Sequence, residues 1–188
     1  MRSVKTVLVG SAAVAALLSV AVPAGAQSSA PAAPTAQMTV EQQVQGLLKY
    51  NKGAKQTGRN TVRLAPGVVA TVRDNRSAYA SWPWDGFGCR AGYLCLWEHA
   101  NMSGASIDFT NCRTENLWGY RTPSGSYWAD RVSSYSNNQT GSVTSRFYDG
   151  GVEILNEGAT GYRRNLQYDK VIGGNGYAND RIDSVRVC

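Results

Sequence analysis

Four cysteines and a single histidine are the side chains best suited to covalent or metal chemistry in this 188-residue chain. They are Cys89, Cys95, Cys112 and Cys188, and His99. Zinc sites typically use close Cys-x-x-Cys pairs or several histidines, and neither pattern occurs here. An even number of cysteines in a secreted protein instead predicts disulfides, for which three pairings exist. We favour Cys89–Cys95, which closes a small loop, and by elimination Cys112–Cys188.

Catalysis is the second chemistry to consider. Glu98 directly precedes His99, but no nucleophile motif accompanies the pair. Gly-x-Ser-x-Gly, His-Glu-x-x-His and a phosphate-binding loop, each of which implies a reaction geometry, do not occur in the sequence. Paired carboxylates could perform acid–base chemistry, but nothing in the sequence selects one pair. We therefore predict that the protein is not an enzyme.

The first 26 residues have the three parts of a secretory signal peptide. Arg2 and Lys5 form a basic start, residues 7–22 are apolar, and residues 24–26 are Ala-Gly-Ala, which suits signal peptidase. The apolar run is shorter than the roughly 20 residues that span a bilayer. We therefore predict a secreted, extracellular protein with no membrane attachment after cleavage.

The net charge argues against a nucleic-acid partner. Removing residues 1–26 leaves 17 basic and 13 acidic residues, a net charge of 17 − 13 = +4. These charges are spread along the chain without a Lys/Arg cluster, whereas nucleic-acid-binding proteins concentrate them in a patch or stripe. We expect a monomer that does not bind nucleic acid.

A small extension comes after the signal peptide. Residues 27–38 are mainly Ser, Pro, Ala and Gln, which favours a flexible leader. Apolar residues at helical spacing predict a helix over 39–51. Two β-rich runs, 61–64 and 68–72, flank a Pro-Gly turn and predict a hairpin. The sequence leaves open whether this extension and its linker (39–87) dock on the C-terminal part of the chain or act as a prosegment.

The last hundred residues contain two copies of one pattern, over 89–138 and 143–188. Each copy has an aromatic strand segment, a glycine, an Asn-Leu pair and an Asp-Arg pair, in that order. The Asn-Leu and Asp-Arg pairs are 14 residues apart in the first copy and 15 in the second. Such a repeat indicates duplication of one supersecondary unit. Eight short strand patterns between turns predict an all-β sandwich or barrel, with strands at 93–98, 106–109, 115–120, 131–136, 143–148, 152–155, 163–168 and 181–187.

Two stretches of the first copy carry a family resemblance. They are Cys-x5-Cys-Leu-Trp-Glu-His-Ala-Asn-Met-Ser-Gly (89–104) and Trp-Ala-Asp-Arg-Val-Ser-Ser-Tyr-Ser-Asn-Asn (128–138). Both resemble the secreted actinobacterial proteins of peptidase inhibitor family I36, which are similar to βγ-crystallins. The resemblance covers residues 88–188. It implies an all-β fold in which two Greek-key motifs form a βγ-crystallin-like sandwich, preceded here by the short helix and hairpin.

The resemblance implies a function in binding. Family members of the founding type insert a loop into the cleft of a thermolysin-like metalloprotease and resist cleavage, so an extracellular protease is the implied partner. That loop is bracketed by two cysteines in the second half of the domain, whereas the second copy here has only Cys188. The inhibitory loop is therefore unassigned, with residues 121–127 and 156–162 as candidates. The alternatives are a calcium-binding or structural extracellular module and a secreted growth-inhibiting protein.

Several structural roles are also implied by the resemblance. A glycine in each copy is expected at positive φ where the first hairpin folds over: Gly104 and Gly151. A serine in each copy is expected to hydrogen-bond to the folded hairpin of a neighbouring copy: Ser134 and Ser184. Four aromatic side chains are expected in core or corner packing: Trp97, Trp118, Trp128 and Tyr148.

Calcium is the one cofactor that the resemblance leaves open. βγ-crystallin sites use the pattern [Asp/Asn]-[Asp/Asn]-x-x-[Ser/Thr]-Ser, and oxygen-rich corners suit this cation. Residues 179–184 have Asp at the fifth position, and residues 129–134 have Ala at the first, so each copy departs from the pattern once. The candidate ligands are Asn179, Asp180, Asp183 and Ser184 in the second copy and Asp130, Ser133 and Ser134 in the first.

Overall fold

A computed structural model of the chain describes residues 37–73 and 88–188. The signal peptide, the leader up to residue 36 and residues 74–87 of the linker lie outside these ranges, so the interpretations given for them stay predictions. Within the described ranges, no helix is long and apolar enough to cross a membrane.

One α-helix and eleven β-strands make up the regular structure of the described residues. The extension contains α1 (Val40–Tyr50), β1 (Lys55–Gly58), β2 (Thr61–Ala65) and β3 (Val68–Thr71). The first copy contains β4 (Tyr93–His99), β5 (Ser103–Phe109), β6 (Thr114–Asn116) and β7 (Ser134–Asn138). The second copy contains β8 (Thr144–Asp149), β9 (Val152–Gly158), β10 (Tyr162–Arg163) and β11 (Ser184–Arg186).

The strands form two sheets in which the copies exchange one strand each. The seven-stranded sheet has the order β1-β2-β3-β5-β4-β7-β10, and the four-stranded sheet has the order β6-β11-β8-β9. The first copy's third strand, β6, thus pairs in the sheet of the second copy, and β10 pairs in the sheet of the first. Two interlocked Greek keys result, which confirms the predicted all-β fold.

The helix forms where the sequence predicts it. Thr39 Oγ1 accepts from the N–H of Gln42 at 3.2 Å, and Gln42 Oε1 accepts from the N–H of Thr39 at 2.8 Å. This capping box satisfies two backbone donors that the first turn otherwise leaves unpaired. Val44 and Leu47 lie on the buried face of the helix and join the core.

The extension docks on the Greek keys and does not stand apart from them. β3 pairs antiparallel with β5, so the predicted hairpin continues the larger sheet. Val62 and Ala70 from the extension lie fully buried in the same core as Ile107 and Leu96 of the first copy. The extension and both copies share this core, and burial of its side chains removes apolar surface from water.

Most differences from the predicted elements concern short, exposed or irregular segments. β1 was not predicted, since all four of its residues are exposed and it lacks an alternating pattern. The third strand of the first copy ends early, because Asn116 Oδ1 accepts from the N–H of Trp118 at 2.9 Å and begins a 3₁₀ turn. Trp97 and Trp128 are buried as predicted, whereas Trp118 is 47% exposed and lies outside the core, with its ring edge-to-face on Tyr127 at 5.2 Å.

Candidate functional site

Each copy makes a tight corner where its Asp-Arg pair precedes the fourth strand. Asp130 has a φ of 57° and Asp180 a φ of 53°. This left-handed conformation is uncommon outside glycine, and Asp tolerates it because its short polar side chain can bond locally. The predicted fourth strands therefore begin three residues later than expected, at Ser134 and Ser184.

Backbone hydrogen bonds join the two corners across the copies. The N–H of Asp130 donates to the carbonyl of Ile182 at 3.0 Å, and the N–H of Asp180 donates to the carbonyl of Val132 at 3.1 Å. Each bond has its counterpart in the other copy, so an approximate twofold axis passes between the corners. The bonds hold the polar side chains of the two corner segments close together.

The Asn-Leu pairs strengthen this junction in the same reciprocal way. The N–H of Leu117 donates to the carbonyl of Asp183 at 2.9 Å, and the N–H of Leu166 donates to the carbonyl of Ser133 at 3.0 Å. Both leucine side chains are fully buried. The landmarks that repeat in the sequence therefore repeat as contacts between the copies.

A cavity of about 370 Å³ opens at this junction. Its lining contains three carboxylates, one guanidinium, one imidazole and one hydroxyl: Glu98, Asp130, Asp180, Arg131, His99 and Ser133. Ser133 Oγ donates to Asp180 Oδ1 at 3.2 Å, which joins the two copies by a side-chain contact. The cavity is polar and suits a small charged group or an ion.

Two carboxylates of the junction, Glu98 and Asp130, are poorly stabilised in their charged form. Burial raises the pKa of Glu98, and the positive charges of His99 and Arg131 partly offset that rise. The pKa of Asp130 is raised by partial burial and then by negative charges nearby, those of Asp149, Asp183 and Asp180. Added positive charge would relieve this repulsion, so the cluster favours cations.

One arginine already neutralises part of the second corner. Arg181 donates to Asp149 Oδ2 from Nε at 2.9 Å and from Nη2 at 2.7 Å. It also donates from Nη1 to the carbonyl of Asn175 at 3.3 Å. Arg181 therefore links the corner to the loop before it, and a guanidinium held by several partners is a rigid link.

Hydrogen bonds within the protein already occupy several carboxylate oxygens of the candidate calcium ligands. Asp180 Oδ2 accepts from Asn179 at 2.7 Å, in addition to the bond from Ser133. Asp183 Oδ1 accepts from Ser184 at 2.8 Å, and its Oδ2 accepts from the N–H of Gly150 at 2.7 Å. Calcium takes six to eight oxygens, so these residues fit a site only in part.

Within residues 37–73 and 88–188, no three acidic, histidine or cysteine side chains come together as a metal site. Calcium at the corners therefore stays a prediction, and a site there would depend on backbone carbonyls and water.

The two serines do not have the partners implied by the resemblance. Ser134 Oγ donates to the carbonyl of His99 at 2.6 Å and accepts from the N–H of Met102 at 3.1 Å, both in the hairpin of its own copy. Ser184 donates to Asp183, its neighbour in the chain, and not to a hairpin. The reason is strand pairing, since β7 lies beside β4 and β11 beside β8, within the same copy.

Both hairpin glycines have the predicted positive φ, 78° at Gly104 and 82° at Gly151. A Cβ at Gly104 would lie 2.8 Å from the His99 ring, so the fold of this hairpin excludes a side chain there. His99 therefore packs on the hairpin.

Ser133 carries the hydroxyl in the cavity, and this hydroxyl donates to Asp180 and not to His99. Ser133 and His99 therefore do not form a nucleophile–base pair.

The four cysteines form two disulfides in the favoured pairing, Cys89–Cys95 and Cys112–Cys188. The first links the segment before β4 to Cys95 within that strand, and the second joins the first copy to Cys188 of the second copy across 76 residues. Disulfides persist in oxidising compartments and fit an extracellular protein.

Of the predicted protruding segments, residues 121–127 lie against the extension, and Thr122 and Pro123 are buried. Residues 156–158 belong to β9, and the turn after them is tied to Asn137, whose N–H donates to the carbonyl of Gly161 at 2.8 Å. An exposed loop of the second copy, 170–177, was missed. The sequence marks this loop by a basic residue and a tyrosine, Lys170 and Tyr177, on either side of a glycine-rich tip. Arg121 and Tyr127 stand at the two ends of 121–127 in the same way.

The interlocked strands and the polar junction define an all-β protein of two Greek-key motifs joined at their corners. Residues 84–152 match the model of peptidase inhibitor family I36, which confirms the family resemblance. The match includes the whole first copy and reaches the hairpin of the second.

A comparison with curated proteins finds no significant match. Among solved structures, one described as "Evolution of the eye lens beta-gamma-crystallin domain fold" is similar to the chain, with 24% identity and a TM-score of 0.37. That similarity covers 53% of this chain and 88% of the other.

Proposed function

We propose that this protein is a secreted peptidase inhibitor that binds a thermolysin-like metalloprotease tightly and without chemistry of its own. The observation that carries the proposal is the match of residues 84–152 to family I36, which supports a peptidase-inhibitor role. The protease class and the mode of binding are our extension of that role, and secretion is inferred from the predicted signal peptide.

Rigidity supports inhibition by binding. A segment that is ordered before it meets its partner loses less conformational entropy on binding, so more of the contact free energy remains as affinity. The reciprocal bonds of Asp130 and Asp180 and the disulfide Cys112–Cys188 fix both copies relative to each other. A peptidase that engages such a surface meets a chain whose backbone resists the rearrangement that cleavage requires.

Titration against purified peptidases tests this proposal. The secreted protein is added in increasing amounts to thermolysin and, in parallel, to a chymotrypsin-like serine protease, with a peptide substrate reporting residual activity. We expect inhibition of thermolysin with an equimolar end point and no inhibition of the serine protease. Absence of thermolysin inhibition at micromolar excess would contradict the proposed target, and inhibition of only the serine protease would replace it.

The junction favours a second function, calcium binding. Its support is the polar cavity with Asp130, Asp180 and Ser133, and the pKa of Asp130, which partial burial and then the neighbouring carboxylates raise. A ligand that binds only the folded state stabilises it by about 2.7 kcal/mol at a concentration 100 times its Kd. The test is the Tm in millimolar calcium, compared with magnesium and with a chelator. An equal Tm in all three solutions would remove this function.

A further inference from the structure

We propose that residues 170–177 of the second copy form the segment that enters the peptidase cleft, and that Ile172 fills its apolar specificity pocket. This proposal rests on the proposed inhibitor function and names the surface responsible for it. We call residues 170–177 the second-copy loop and residues 121–127 the first-copy loop.

The two loops occupy equivalent places in the fold. Each comes after the Asn-Leu pair of its copy and leads into the Asp-Arg corner. Each is closed at its base by an isolated antiparallel bridge between a basic residue and a tyrosine, Arg121 with Tyr127 and Lys170 with Tyr177. The approximate twofold axis at the corners therefore relates the surfaces around these loops as well.

The chain's own extension covers the first-copy loop. Asn51 donates from Nδ2 to the carbonyl of Arg121 at 3.0 Å and accepts from its N–H at 2.8 Å, so one side chain satisfies both backbone groups. A Cβ at Gly46 of α1 would lie 2.1 Å from the carbonyl oxygen of Pro123. The first-copy loop therefore has no room for a partner on the face that α1 occupies.

The second-copy loop has no such cover among the described residues. All six residues from 172 to 177 are exposed. Three large apolar side chains stand on or beside it, with Tyr168 78%, Ile172 49% and Tyr177 50% exposed. Clusters of exposed apolar side chains on a folded protein typically mark contact sites.

The base of the second-copy loop is anchored although its tip is rich in glycine. The N–H of Ile172 donates to the carbonyl of Ile154 at 2.9 Å, which ties the loop to β9. Val171 is buried beneath it, and Arg181 bonds to the carbonyl of Asn175 while its other nitrogens bind Asp149. Ile172 is thus presented on an anchored turn, which is the arrangement that binding with little entropy loss requires.

The shape and chemistry of the loop fit a peptidase cleft better than a flat protein surface. It is narrow, because Gly173 and Gly174 come after Ile172 and carry no side chains that would widen the tip. Gly173 has a φ of 65°, so the chain turns sharply just after the apolar residue. The branched side chain of Ile172, which comes just before this narrow tip, can therefore reach an apolar pocket that lies inside a cleft.

A pair of matched variants tests the assignment. Ile172→Asp places a charge on the second-copy loop, and Trp118→Asp places the same charge on the first copy at nearly equal exposure, 49% for Ile172 and 47% for Trp118. We expect Ile172→Asp to weaken inhibition of thermolysin about 100-fold, as for loss of a central contact residue, and Trp118→Asp to change it less than about threefold. Equal Tm values for both variants and the wild type would show that folding is unaffected.

Chemical modification of tyrosines gives a second measurement that needs no variant. Nitration with tetranitromethane, read by mass spectrometry, should spare Tyr168 and Tyr177 in the complex and still modify Tyr50 and Tyr127. The assignment would be overturned if the Ile172→Asp variant inhibited thermolysin as strongly as the wild type does. It would also be overturned if Tyr168 and Tyr177 were modified at the same rate with and without peptidase. Either result would leave the inhibitor function intact. Absence of inhibition by the wild type would overturn both.

Discussion

Asp130 and Asp180 each donate their backbone N–H to a carbonyl two residues beyond the other, at Ile182 and Val132. Both residues have positive φ, so each corner has a backbone conformation that few side chains tolerate. The reciprocal bonds explain why the conformation persists, because neither corner can relax without breaking a bond to the other copy.

Substitution of Asp130 tests this relationship. Asp130→Val should destabilise the protein by about 1–2 kcal/mol, because a branched side chain is disfavoured at positive φ. Asp130→Asn should be close to neutral, since Asn tolerates the conformation and removes the repulsion from Asp149 and its neighbours. Urea unfolding of the two variants gives the comparison, and equal stability of Val and Asn at this position would contradict it.

Substitution of Gly46 by alanine should change the stability of the protein in the direction opposite to that expected from helix propensity. In an exposed helix, Gly→Ala stabilises by about 1 kcal/mol. At Gly46 the added methyl would lie 2.1 Å from the carbonyl oxygen of Pro123, so Gly46→Ala should instead destabilise by about 1–3 kcal/mol. Gln45→Ala, on the exposed side of the same helix, is the control and should change stability little. Thermal unfolding would distinguish the outcomes, and a rise in Tm for Gly46→Ala would mean that α1 does not press on the first-copy loop.

Asp108 links stability to pH. Its carboxyl is buried between the extension and the first copy, and burial raises its pKa, although the hydroxyl of Thr71 donates to Oδ2 at 2.9 Å. A carboxyl whose pKa is higher in the folded state binds its proton more tightly there, so its contribution to stability falls as pH rises above the unfolded pKa of about 3.9.

Asp108→Asn should therefore stabilise the protein at pH 7 relative to the wild type, and this advantage should shrink as pH falls toward about 4. Guanidinium unfolding at a series of pH values measures it. Asp169→Asn, at a carboxyl that is partly open to solvent, provides the comparison. A constant difference between wild type and Asp108→Asn over this pH range would contradict the linkage.

The two disulfides should differ in their effect on stability. In the chain-entropy model, a crosslink stabilises more when it closes a longer loop. Cys112–Cys188 spans 76 residues and Cys89–Cys95 spans 6. Replacement of both cysteines by serine should lower the free energy of unfolding by about 4.5 kcal/mol for Cys112–Cys188 and by about 2 kcal/mol for Cys89–Cys95. Guanidinium unfolding measures both, and a larger loss for Cys89 and Cys95 would show that local packing of that loop outweighs chain entropy.

Local patterns in the sequence were sufficient to predict the helix, the hairpin and the duplicated strands. Thr39 and Gln42 lie three residues apart and cap α1 through contacts between near neighbours. Gly104 and Gly151 have the positive φ that their place in the repeat predicts. These features depend on a few adjacent residues, which a single sequence displays directly.

The remaining features depend on contacts between distant segments. Ser134 and Ser184 hold the same place in the repeat, yet Ser134 bonds to a hairpin whereas in the second copy Asp183 takes that role. The difference between the two loops could not be predicted either. It arises because Asn51 and Gly46 of the extension lie on one loop and not on the other.

The exchange of β6 and β10 between the sheets has a consequence for how the molecule unfolds. Removal of the first copy would take the edge strand β6 from the four-stranded sheet and leave β10 unpaired. Removal of the second copy would take β10 from the seven-stranded sheet and leave β6 unpaired, so each time a strand would expose its backbone groups to water. The halves of this duplicated chain therefore cannot melt one after the other, and a cut between residues 138 and 144 should give fragments that regain structure only when mixed.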